Sequence, residues 1–265
     1  MRTISAEDGR SAFGADAANY DSARPEYPAR IYEILGDRCG LRRDTRAFEI
    51  GPGTGLATRH LLKAGASVTA IEPDERLCAK LRECADEPPL HIVNATFEAA
   101  ELPTSAFDLG VSATAFHWMD QRAAIAKVAG LLKPGGWWAA WWNVFGDPER
   151  DDPFHDATTH LFQASASPSY SPLFKHPFAL RSEDRTADLQ SADSFEDIGY
   201  EVVRWTLVLN ADQTRALYAS FSNVTTLPEA ERSRLLDSLH DVAATTFRNN
   251  VERQMCTALY TARRR

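Results

Sequence analysis

Residues 49–55 read Glu-Ile-Gly-Pro-Gly-Thr-Gly, and a second carboxylate, Glu72, follows Gly55 by seventeen positions. A glycine-rich turn brings backbone close to a ligand, because no Cβ intervenes and glycine accepts positive φ. Here the glycines run G-x-G-x-G at Gly51, Gly53 and Gly55, and position 56 is Leu. The pyrophosphate-binding fingerprint needs G-x-G-x-x-G, so a nicotinamide dinucleotide loses its best support. Glu49, just ahead of the first glycine, suits a cation such as an α-ammonium or sulfonium and would repel pyrophosphate. Glu72 lies near the roughly 20-residue offset at which a carboxylate takes ribose hydroxyls. Singly, Glu49 also reads as a solvated strand end and Glu72 as a charge favouring a helix N-terminus. Jointly they fit S-adenosylmethionine.

Methyl transfer from that donor is an in-line displacement at an already activated carbon, so a protein must chiefly align a nucleophile and exclude water. A carboxylate acceptor has no proton to lose, whereas a phenol, alcohol or protonated amine gains from a nearby base. His117, in Ala115-Phe116-His117-Trp118-Met119, is the candidate base, with a hydrogen-bonded structural role as its alternative. Trp118, Trp142 and Asn143 are candidate substrate contacts. No metal site is expected: His155, His160 and His176 lack metal-ligand spacing, and Cys39, Cys78, Cys84 and Cys256 match neither a zinc site nor a disulfide framework.

The elements that must position these residues alternate. Ala47–Ile50 is a short apolar run before the glycine turn, and a helical pattern through Leu56, His60, Leu61 and Leu62 follows it. Further strands are predicted at Ser67–Ile71, Leu90–Val93, Phe107–Ser112 and Trp137–Trp142, with helices at Glu75–Ala85 and Arg122–Leu132. Alternation of this kind makes a parallel sheet covered by helices, with ligands outside the carboxyl ends of the strands. Within the fifth strand, period two sends Trp137 and Trp141 to one face and Trp138 and Trp142 to the other. Beyond Asn143 the pattern stops; residues 147–185 read as a covering insertion carrying Phe162, Tyr170 and Phe174. Tyr200–Asn210 and Met255–Thr261 read as closing strands, with helices near Thr214–Ser220 and Glu229–Ala244.

At Glu49–Gly55 the sequence resembles the class I S-adenosylmethionine-dependent methyltransferases. Phe107-Asp108-Leu109 looks like the start of that family's fourth strand, and Leu132-Lys133-Pro134-Gly135-Gly136 resembles the turn into its fifth. Phe13–Pro28 is similar to the cap of a branch that includes trans-aconitate methyltransferase-like proteins. The resemblance implies a doubly wound α/β fold of the Rossmann-like methyltransferase type, with a mostly parallel seven-stranded sheet and a helical lid insertion. It also implies that Tyr20 and Arg24 lie over the cofactor, Arg24 pairing with its carboxylate, and that Pro73, Thr96, Phe97 and Ala113 line the site. Thr96 stands where the family often has an Asp that accepts from the adenine amino group, so a hydroxyl or backbone must substitute. Arg24 and Tyr27 also read as residues that simply pin the N-terminal segment.

Lys and Arg number 29 against 37 Asp and Glu, a net charge of −8, which disfavours a nucleic-acid partner. The polar first residues and the absence of a long apolar run predict a cytoplasmic chain without a membrane anchor. A single domain over 1–265 is expected: cap helices at 11–45, a cofactor core at 46–143, lid or substrate insertions at 144–195 and about 211–250, and closing strands at 196–210 and 251–265. The function expected is S-adenosylmethionine-dependent methylation of a small molecule, with a carboxylate or other oxygen nucleophile as acceptor. A non-catalytic S-adenosylmethionine binder is the alternative, and an NAD(P)-dependent oxidoreductase a weaker one. Nothing in the sequence bears on oligomeric state.

Overall fold

The computed structural model describes residues 2–3, 22–84, 89–162, 165–166 and 174–265. In chain order these form α1 (Ala29–Asp37), β1 (Arg46–Ile50), α2 (Leu56–Lys63), β2 (Ser67–Ile71), α3 (Glu75–Arg82), β3 (Leu90–Val93), β4 (Phe107–Ala113), α4 (Gln121–Leu131) and β5 (Leu132–Phe145). There follow α5 (Pro153–Thr158), α6 (Ser182–Gln190), β6 (Phe195–Leu209), α7 (Ala211–Ala219), α8 (Ser222–Thr225), α9 (Glu229–Thr245) and β7 (Val251–Arg264). The strands make a seven-stranded sheet in the order β3-β2-β1-β4-β5-β7-β6. Pairing is parallel from β3 through β5, and the sheet as a whole is mixed.

The chain divides into two compact units. The first gathers Tyr27–Asn143, Phe178–Val203 and Thr257–Arg265. Its core joins Ile31 and Leu35 of α1, Leu61 of α2, Val68 and Ala70 of β2, Leu109 and Val111 of β4, and Trp141. Burial on both faces explains why β1 reads as a continuous apolar run rather than an alternating one. The tryptophans of β5 do alternate. Trp137 and Trp141 join this cluster, while Trp138 packs on Phe48 and Phe116 and Trp142 on Phe178.

The second unit gathers Met1–Glu26, Val144–Pro177 and Arg204–Cys256. Phe154, Leu217, Leu236, Leu239 and Val251 form its core. Asn210 starts α7 with a reciprocal capping box to Gln213, which is why the strand predicted to reach Asn210 stops at Leu209. Arg253, 2% exposed, donates from Nε to Asp152 at 2.8 Å and from Nη1 to the Tyr218 hydroxyl. Asp152 also caps α5 through the His155 N–H at 2.9 Å.

Several boundaries differ from expectation: β6 already begins at Phe195, and β7 extends beyond Met255–Thr261 at both ends. The segment Leu132–Gly136, read as a turn, is already strand, because Phe107 pairs Leu132 while Leu109 pairs Trp137 and the slack is taken up as a register shift. Phe178–Val203 falls in the first unit, whereas residues 144–195 read as one insertion. Among the described residues no helix is long and apolar enough to cross a membrane, and no group of three His, Cys, Asp or Glu could hold a metal ion.

Candidate functional site

Glu49 stands at the penultimate position of β1, paired with Ala70 and Val111 on either side, and its side chain is fully buried. One carboxylate oxygen, Oε2, accepts the Thr58 hydroxyl from α2 at 2.6 Å. The other, Oε1, has no partner among the described residues. Burial pushes Glu49 up to about 7, with the Thr58 bond opposing and the Glu72 charge adding to the shift. An orphaned carboxylate oxygen in a buried position is costly unless a ligand completes it.

The glycine turn binds β1 to β2 and to Glu72. Gly51 donates to the Ile71 carbonyl at 3.0 Å, and Gly53 donates to Glu72 Oε2 at 3.1 Å. Glu72 Oε1 accepts the Asp74 N–H at 3.0 Å. Burial pushes Glu72 up to about 7 against these two bonds. Gly55 opens α2 at φ 92°, and a Cβ there would meet Cys84 Sγ at 2.6 Å. Gly53, at φ 59°, has none of the described residues within 4 Å of where its Cβ would be. Among the described residues the turn is therefore anchored at one end and vacant at its middle, as a ligand cradle requires.

Asn94 Nδ2 donates to the Glu72 carbonyl at 2.9 Å and the Pro73 carbonyl at 3.1 Å. The Thr96 hydroxyl accepts the Ala99 N–H at 3.3 Å, starting a tight turn. Phe97 is buried with its ring parallel to Phe48, centroids 6.4 Å apart. Lys127 fixes the turn by donating to the carbonyls of Phe97, Glu98 and Ala100 at 2.6, 3.1 and 2.6 Å.

Ala113 ends β4, and the chain then passes through Thr114 to a short 3-10 turn, Phe116–Trp118. His117 is buried in it, and its Nδ1 accepts the Trp142 indole N–H at 2.9 Å. Burial depresses the imidazole to about 3. A neutral ring whose Nδ1 accepts carries its proton on Nε2 and has no lone pair left to take another. The bond ties the loop after β4 to Trp142 of β5. Trp118 is buried beside it, ring centroids 4.8 Å apart. Asn143 Oδ1 accepts the Thr257 hydroxyl at 2.7 Å.

Tyr20 lies outside the described residues, as does Tyr170. Arg24 belongs to the second unit, where Nη2 donates to the Ser220 carbonyl at 2.9 Å and the guanidinium lies over Phe221 at 4.8 Å and Phe145 at 5.5 Å. Thr58, Asn94 and Lys127 went unnoticed in the sequence; only Thr58, one turn into a helix that starts at the glycines, carried a local signal.

Residues 48–140 match a family described as methyltransferase domain. An uncharacterized methyltransferase of Mycobacterium tuberculosis is 28% identical over 244 residues, spanning 92% of this chain and 90% of that protein. The malonyl-[acyl-carrier protein] O-methyltransferase of Enterobacter lignolyticus is 33% identical over 129 residues, 48% of this chain and 49% of that one. Among solved structures, the phosphoethanolamine N-methyltransferase 2 of Haemonchus contortus, with phosphomonomethylethanolamine and S-adenosylhomocysteine, matches at TM-score 0.57 and 14% identity. That match covers 95% of this chain and 57% of that one, and at this identity it shows a shared fold.

A sheet of this strand order, parallel from β3 through β5 and flanked by helices, has the Rossmann-like methyltransferase fold. Over residues 48–140 the chain carries a methyltransferase domain, and its activity is S-adenosylmethionine-dependent methyl transfer. None of the relatives named above is, by its name, of the trans-aconitate branch.

Proposed function

We propose that the chain methylates an oxygen nucleophile of a small molecule, with a carboxylate as the acceptor. The observation that carries this reading is the state of His117. Its Nδ1 is engaged by Trp142 and its affinity for a proton is depressed to about 3, so it cannot relieve an acceptor of a proton near neutrality. A carboxylate needs no such relief. The relative from Enterobacter lignolyticus is named an O-methyltransferase of a malonyl group, which agrees with that chemistry.

Glu49, Gly51, Gly53, Gly55, Glu72 and Pro73 are the residues proposed to hold the cofactor, with Thr96, Phe97 and Ala113 shaping the walls. The fit rests on Glu49 Oε1, a buried oxygen awaiting a donor, and on the space at Gly53 that none of the described residues fills. The cofactor supplies a methyl group on positive sulfur. The protein's part is to orient it, keep water out behind Trp118 and Trp142, and present the acceptor in line. A net charge of −8 favours a small-molecule acceptor over nucleic acid.

The test is a product screen with tritiated S-adenosylmethionine against matched small acids, phenols and amines. Base-labile ester formation with acids alone supports the reading; transfer only to phenols or amines refutes it. Binding of S-adenosylhomocysteine without transfer to any acceptor would favour a non-catalytic binder.

A further inference from the structure

Thr114 follows β4 directly and holds φ at 55°, in the left-handed region where a β-branched side chain is an outlier. Such residues persist only where their surroundings over-determine them. Two contacts do so here. The Thr114 N–H donates to the Trp141 carbonyl at 2.7 Å, and its hydroxyl shares a hydrogen bond with the Tyr27 hydroxyl at 3.0 Å. Tyr27 is itself set edge-on against Trp141, centroids 5.7 Å apart at 87°.

The next residue shows what the conformation accomplishes. Ala115 lies on the glycine turn so closely that a Cβ at Gly51 would stand 2.5 Å from its own Cβ. The Ala115 carbonyl also accepts the Trp118 N–H at 3.1 Å, starting the turn that carries His117. Were Thr114 to relax to negative φ, Ala115 would leave Gly51 and both arrangements would move together.

We propose that Tyr27 is a positioning residue for the cofactor site: its hydroxyl holds Thr114 left-handed and so keeps Ala115 seated against Gly51. The inference rests on the reading of Gly51–Gly55 as the cofactor cradle. It gives a function to a side chain that precedes the glycine turn by 24 positions and that the sequence offers only as a pin for the N-terminal segment.

Calorimetric titration with S-adenosylhomocysteine tests it on the full chain and the variants Tyr27→Phe, Thr114→Val, Thr114→Ser and Thr114→Gly, and on Tyr27→Phe combined with Thr114→Gly. Loss of the hydrogen bond in Tyr27→Phe or Thr114→Val should weaken binding about 10-fold while circular dichroism stays native. Thr114→Ser keeps the hydroxyl and should bind as wild type does. Glycine adopts φ 55° without strain, so Thr114→Gly should restore affinity and make Tyr27→Phe silent in its background. Unchanged affinity in Tyr27→Phe overturns the proposal, as does a further loss when it is added to Thr114→Gly. If Tyr27→Phe does not fold, the double variant decides: folding with near wild-type affinity supports the proposal, and failure to do so overturns it. Wild type that does not bind S-adenosylhomocysteine takes the cradle reading down first, and this inference with it.

Discussion

The Trp142 indole donates to His117 Nδ1 at 2.9 Å, and both side chains are buried. That bond fixes the imidazole tautomer and ties the loop after β4 to the end of β5. Replacing His117 by Gln offers the indole an amide oxygen in exchange and should leave S-adenosylhomocysteine binding within about 3-fold of wild type. Replacing it by Ala orphans the indole N–H and should cost about 1–3 kcal/mol, read as a fall in Tm. If His117→Gln loses turnover and keeps its Tm and cofactor affinity, the imidazole takes part in the reaction after all.

The two carboxylates at the cradle give cofactor binding a pH dependence with a definite sign. Both are held up to about 7 by burial; the ammonium group of a bound cofactor favours ionised Glu49, and ribose hydroxyls donating to Glu72 favour its ionised form. Binding therefore releases protons, and affinity for S-adenosylhomocysteine should rise roughly 10-fold between pH 6 and 8. Titrations in buffers of different ionisation enthalpy report the proton release directly. Affinity that falls over this range contradicts the assignment.

Stability should move the other way. Each carboxyl holds its proton more tightly folded than unfolded, so its burial is unopposed below pH 4.5 and becomes a cost as pH rises through about 7. Glu49→Gln, whose amide oxygen can still accept from Thr58, should raise Tm at pH 8, with the gain shrinking towards pH 5. The same variant should bind S-adenosylhomocysteine more weakly, a trade of function for stability. A variant less stable than wild type at pH 8 would show that the carboxylate is well solvated.

The glycines should separate folding from binding. At Gly55 an added Cβ meets Cys84 Sγ at 2.6 Å and Leu81 Cδ1 at 2.9 Å at φ 92°, so Gly55→Ala should cost about 2–4 kcal/mol. At Gly53 none of the described residues lies within 4 Å, so Gly53→Ala should cost only the left-handed backbone term, about 1–2 kcal/mol, yet abolish measurable binding by filling the cradle. Denaturant melts and titrations on the two variants give the comparison; equal binding by Gly53→Ala and wild type would move the cofactor elsewhere.

What the sequence revealed was local. Ser67–Ile71 and Leu90–Val93 are strands to the residue, and Glu49 and the glycines sit where a strand-turn-helix must put them, since each depends on neighbours a few positions away. The start of β5 was misread because Gly135 and Gly136 mimic a turn while the real event is a register shift against β4. Thr58 on Glu49, Lys127 on the Phe97 turn and Tyr27 on Thr114 were invisible, each being a contact whose partner is set by the tertiary fold. His117 shows the limit most plainly: residue type suggests a base, whereas its burial and the indole that donates to its Nδ1 are set by the tertiary fold.

The sheet order places β7 between β5 and β6, so a strand made later fills a gap between two made earlier. On a ribosome, β5 and β6 must wait as unpaired edges until residues 251–264 have emerged, and such edges invite pairing with other chains. The pairings that close the sheet on this side span long stretches of sequence, which slows their formation. Synthesis of this chain should therefore carry a window of aggregation risk that closes only when β7 emerges, and a nascent chain halted near residue 245 should depend more on chaperones than one released beyond β7.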